Sequence, residues 1–216
     1  MLQRNNKNPE ESQNNEYKTI PLPMACSASI FVLSLFCSHA ALAEGAHSYN
    51  YIDGEFSFYD EEGPDYGLSM KFSRDLTPSA NVLLGIENYD DDISLTILRG
   101  GLGVHTPIAP TTDLYGEIGL QWMYASTDIH YGPFRQSVSE EDIGYNLGLG
   151  IRHKLTPEFE LNAKAEYRAF DEGNVEGAIY SVGGRAYLNE NWSAGASYRN
   201  DDELDSYGIS LRHDIL

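Results

Sequence analysis

Cysteine is nearly missing from this chain: there are two in 216 residues, Cys26 and Cys37, and both lie in the N-terminal apolar region. Beyond that region a disulfide framework and a Cys-based metal site are excluded. Basic residues are scarce, with 14 Lys and Arg against 33 Asp and Glu, a formal charge of -19. Binding to a phosphate backbone needs clustered cations, so nucleic acid is excluded as a partner. There is no long apolar helical repeat, and the apolar run at residues 24–36 is shorter than the roughly 20 residues of a membrane-spanning helix. What the chain has instead is 20 glycines and 15 tyrosines, a composition that favours an all-β fold.

Alternation carries the fold. Ile143, Tyr145, Leu147, Leu149 and Ile151 occupy every second position, with Gly144, Asn146, Gly148, Gly150 and Arg152 between them. That is period two, the signature of a strand. After the break Leu155-Thr156-Pro157, a second arm sets Leu161, Ala163, Ala165 and Tyr167 against Asn162, Lys164, Glu166 and Arg168. The hairpin is apolar on one face and charged on the other. Such a sheet buries its apolar side either in a soluble core or in lipid around a polar lumen.

The start of the chain bears on that choice. A polar extension and Lys18 precede the apolar run, and Ala41-Leu42-Ala43 has the small-x-small form of a signal-peptidase site. Cleavage is expected before Glu44, making residues 1–43 an N-terminal extension with a signal peptide and residues 44–216 the folded domain. The alternative is an uncleaved anchor. A lipid-facing sheet after an export signal points to a transmembrane barrel in a bacterial outer membrane.

Alternation and turn residues predict ten strands, at 48–59, 66–75, 80–89, 93–105, 114–124, 142–154, 158–170, 178–188, 192–200 and 206–215. Eight is the alternative strand count. Short or proline-bearing connections, such as Leu76-Thr77-Pro78-Ser79, alternate with acidic ones, the longest at 125–141. The pattern is an up-and-down antiparallel barrel with both ends on the short-turn side. At the acidic end, Phe58, Tyr66, Trp122 (or Tyr124), Tyr145, Tyr167, Tyr180, Tyr198 and Tyr207 share the parity of their strands' apolar residues, as an interfacial aromatic girdle requires. Asn88 and Ser94 interrupt it on the third and fourth strands.

The opposite parity collects Asp53, Glu55, Lys71, Glu87, Arg99, Glu117, Arg152, Lys164, Glu166, Arg168, Arg185, Arg199 and Arg212. Charges confined to a narrow lumen must pair. A salt-bridge ladder centred on strands 1, 2, 5, 7 and 10 is therefore expected, in a lumen filled by side chains; the alternative is a narrow ion or small-solute pore.

The opening Tyr49-Asn50-Tyr51-Ile52-Asp53-Gly54, the repeated hairpins and the final strand from Ser206 to Ile215 resemble the small single-chain outer-membrane β-barrels of Gram-negative bacteria, in particular an OmpA/OmpX-like group. The resemblance covers residues 48–216. It implies a cell-envelope location, contact with lipid and lipopolysaccharide, and delivery by the barrel assembly machinery, which in this class reads a terminal Phe. Here Ile215 and Leu216 stand at that end.

No catalytic residue or cofactor is expected. Omptin proteases also have ten strands but need a longer barrel than these strand lengths supply. His130 with Ser126 or Ser137 is the one combination suited to acyl chemistry near the outer leaflet, and a solvated loop histidine is the plainer account. The five acidic loops hold 18 carboxylates (Asp142 included) and a single basic residue, Arg135. Within them Asp90, Asp91, Asp92, Asp201 and Asp202 are weak candidates for divalent cations, against a plain solvated anionic rim. The remaining rival is a soluble periplasmic barrel of lipocalin type, with its apolar residues inside.

Overall fold

The computed structural model describes residues 47–60, 64, 66–90, 93–131, 134–171, 176–201 and 204–215. The leader, including the expected cleavage site, lies outside them, as do Asp91, Asp92, Asp202 and Leu216. Ten strands follow in order: β1 (Tyr51–Tyr59), β2 (Tyr66–Thr77), β3 (Ala80–Asp90), β4 (Ile93–Ala109), β5 (Thr112–Tyr131), β6 (Phe134–Thr156), β7 (Phe159–Phe170), β8 (Glu176–Tyr187), β9 (Trp192–Asp201) and β10 (Leu204–Asp214). Each pairs antiparallel with its sequence neighbours. Pairing of β1 with β10, from Tyr51↔Asp214 to Tyr59↔Ser206, closes the barrel at ten strands rather than eight.

The pleat separates two solvents. In β6, Ile143, Tyr145, Leu147, Leu149 and Ile151 are all exposed on the outer wall, while Gly144, Asn146, Gly148, Gly150 and Arg152 are buried on the inner one. Leu120, the most exposed of the apolar strand residues at 68%, belongs to the same outer set. A soluble barrel cannot present such a wall to water. The lipocalin-type reading, which requires the reverse orientation, is thereby overturned.

Three of the four short turns share one construction. Thr77 pairs with Ala80, Ala109 with Thr112 and Thr156 with Phe159, leaving Pro78-Ser79, Pro110-Thr111 and Pro157-Glu158 as two-residue loops. Proline presets the backbone for the first loop position. A register shift precedes each turn, and its extra residue, Leu76, Ile108 or Leu155, is exposed. In the fourth turn the Asn189 Oδ1 accepts hydrogen bonds from the Asn191 and Trp192 amides, at 3.0 and 2.9 Å.

Two expectations need correction. The connection at 106–113 is mostly strand, only Pro110 and Thr111 turning. The supposed loop at 125–141 is a hairpin: β5 and β6 continue to Tyr131↔Phe134, beyond the last β4 pair (Ile93↔Thr127) and the last β7 pair (Gly144↔Phe170). Strands of 20 and 23 residues therefore project on the acidic side. Alternation missed them because Ser, Thr and Asp there read as turn formers, whereas the backbone ladder depends only on having a partner opposite.

Candidate functional site: the charged lumen

Parity places the inward residues, and barrel closure decides which of them meet. Glu117 on β5 lies between two lysines, 2.8 Å from Lys71 on β2 and 2.6 Å from Lys164 on β7. Neither strand is a neighbour of β5, so the three side chains form a strut across the interior. Lys164 continues to Glu166 at 2.6 Å, and Glu166 meets Arg168 at 3.3 Å and Arg99 at 3.6 Å. Arg99 reaches Glu87 at 2.7 Å, and the Tyr89 hydroxyl donates to the same carboxylate at 2.6 Å. One connected set of ion pairs thus draws on five strands.

A second group surrounds Asp53. Its Oδ2 accepts from Arg185 Nη2 at 2.7 Å and from Arg212 Nε and Nη2 at 2.9 and 2.7 Å. Arg212 also lies over the Tyr51 ring, 4.0 Å from its centroid, a contact that favours a planar cation. Glu55 accepts from Ser197 at 3.0 Å, and Arg199 lies 3.7 Å from Asp201 at the acidic end.

The third group was not anticipated. Glu160 on β7, 1% exposed, accepts two bonds from Arg152, at 2.8 and 3.0 Å, one from Tyr187 at 2.8 Å, and pairs with His47 at 2.9 Å. Glu160 shares parity with Asn162 and Lys164, so its inward direction was legible. His47 precedes the first strand and carried no periodic signal. Asp113 and Gln121, 0% and 2% exposed, were also missed. Both lie on the inward parity of β5.

Between these groups lies a cavity of about 280 Å³, lined by Lys71, Arg99, Glu117, Lys164, Arg199 and Tyr51 among others. Small residues make space for the larger side chains. A Cβ at Gly150 would run into the Tyr115 ring, and one at Gly148 would lie 2.7 Å from the Lys164 Cε.

On the outer wall, Phe58, Tyr66, Trp122, Tyr145, Tyr167, Tyr180 and Tyr207 are exposed and Tyr198 is half-exposed. Tyr66, Phe58, Tyr207 and Tyr198 are successive partners across β2, β1, β10 and β9. On the β3–β4 side, Thr96 donates to Asn88 at 2.9 Å instead. Of the cation candidates, Asp201 faces Arg199. The side chain of Asp90 is outside the description. Among the described residues no three His, Cys, Asp or Glu gather around a common point. The register sets His130 opposite Arg135 and Ser137 opposite Asp128; these side chains are also outside the description.

A closed ten-stranded barrel with an apolar wall and a charged interior agrees with the match of a family model, the outer membrane protein beta-barrel domain, to residues 29–199. The chain belongs to this family. It is an outer-membrane β-barrel protein, located in the bacterial outer membrane. Among solved structures it is similar to the NanC porin, at 8% identity and a TM-score of 0.49 over 76% of this chain and 100% of that one. It is also similar to the KdgM porin in complex with disordered oligogalacturonate, at 12% identity and 0.47 over 77% and 99%. The N-terminal β-barrel domain of Pseudomonas aeruginosa OprF matches at 11% identity and 0.41 over 77% and 99%. No curated protein matches the chain.

Proposed function

We propose that this outer-membrane barrel has a structural and surface-interaction role rather than a catalytic one. Its lumen is closed by ion pairs, and its acidic rim and the β5–β6 hairpin face outward. The observation that carries this reading is the Lys71–Glu117–Lys164 strut, which joins three non-adjacent strands through the middle of the interior. The strut sets opposite charges in contact across the lumen, which narrows the path open to ions. The acidic loops meet the divalent cations that bridge lipopolysaccharide phosphates, or basic surfaces of extracellular partners. The test is reconstitution into planar bilayers. Wild-type protein should give no conductance steps, and steady wild-type channels would overturn the reading.

The second reading, a narrow pore, is favoured by the cavity of about 280 Å³ beside the strut. A pore would show discrete steps, with ion selectivity altered by charge reversal at Arg185 or Arg199.

A further inference from the structure

The four residues before β1 do not remain at the rim. Residues 47–50 fold into the short-turn mouth and bond to parts of the wall far apart in sequence. Asn50 is fixed beside β1: its Oδ1 accepts from the Asp75 amide at 2.7 Å, and its carbonyl accepts from the Ile215 amide at 2.8 Å. The Tyr49 carbonyl accepts from Ser73 Oγ at 2.5 Å, and its ring stacks on His105 with centroids 3.6 Å apart. The Ser48 carbonyl accepts from Arg152 Nη1 at 2.8 Å. His47 then reaches Glu160 on β7 and the Thr111 carbonyl in the β4–β5 turn, at 2.9 and 3.3 Å. Four extended residues reach roughly 13 Å, and here they link β2, β4, β6, β7 and the end of β10.

The wall beneath them presents buried polar groups to the segment. Arg152 is 6% exposed, Glu160 1% and Ser73 0%. A carboxylate and a guanidinium so buried require nearly complete sets of partners. Arg152 lies 5.0 Å from the Tyr49 ring centroid as well as on the Ser48 carbonyl. An acid for an imidazole, a guanidinium for a backbone carbonyl and an aromatic face, and a hydroxyl for the next carbonyl together recognise a short extended peptide.

We propose that the short-turn mouth is a peptide-binding seat, which the chain's own residues 47–50 occupy as a stopper that seals the lumen on the periplasmic side. The seat binds an extended segment bearing an imidazole two residues ahead of an aromatic ring. This goes beyond the closed-lumen reading, which rests on the strut nearer the middle of the barrel, and bilayer conductance tests that reading separately.

The experiment uses the full chain with Cys26→Ser and Cys37→Ser, and with Ser193→Cys as reporter. Ser193 is 0% exposed and lies opposite Tyr187 at the short-turn end, where its hydroxyl accepts from Arg185 inside the lumen and not from residues 47–50. A charged, membrane-impermeant maleimide is applied to refolded protein in micelles, with heat-modified gel mobility checking that each variant has closed. Adding His47→Ala and Tyr49→Ala should accelerate labelling by about tenfold or more. A synthetic peptide of residues 44–50 should then slow it again in a saturable way, and should fail to do so when Glu160→Gln is also present. Equal labelling with and without the two alanines overturns the stopper. Acceleration that the peptide never reverses overturns the seat. If the double variant does not close, Tyr49→Ala alone decides by the same comparison.

Discussion

Glu117 and Lys164 lie 2.6 Å apart although 47 residues and one intervening strand separate them. Lys71, 46 residues away in the other direction, completes the arrangement at 2.8 Å. Removing the carboxylate leaves two ammonium groups facing each other in the lumen. Glu117→Gln should therefore destabilise the barrel by about 3 kcal/mol, measured as a lower urea midpoint for unfolding from micelles. Adding Lys71→Met should recover part of that loss. If the single variant leaves the midpoint unchanged, the strut contributes nothing to stability.

The outer wall makes a prediction about depth. Leu149, 48% exposed, lies near the middle of the part of β6 between the girdle residue Tyr145 and the turn at Leu155, whereas Leu188, 64% exposed, lies in the turn after β8. An arginine near the bilayer midplane costs about 2–4 kcal/mol, and one near the interface costs about 0–1. Leu149→Arg should thus be much the more damaging of the two when refolding into liposomes is titrated with urea. Equal costs would mean that the two sites share one solvent.

Inside, Gly150 makes room for Tyr115. Gly150→Val should overpack the lumen at a cost of about 1–3 kcal/mol. Combining it with Tyr115→Ala should give a midpoint higher than the sum of the two single effects predicts. Strict additivity of the two changes would show that the ring and the glycine do not depend on each other.

Strand direction is a local property, which is why so much was legible. Side chains on a strand alternate whatever the strand packs against, so Leu147 outside and Arg152 inside follow from their places in the sequence. The proline turns at 78 and 157 were equally readable, since proline sets its own backbone angle. The hairpin at 125–141 was not, because Ser and Thr pair in a ladder as well as they turn, and Gly132-Pro133 with the flanking acidic residues read as a loop.

The amino-acid order alone therefore set the two faces of each strand and pointed to ten strands around a charged interior. The β1–β10 pairing decided ten over eight, and the exposed outer wall decided lipid over a soluble core. Folding in three dimensions settled who meets whom across that interior: Glu117 with two lysines, Asp53 with two arginines, and Glu160 with His47, 113 residues before it. Cross-lumen distances depend on strand number and on the stagger needed to close the sheet. Those quantities belong to the whole ring and to no single strand.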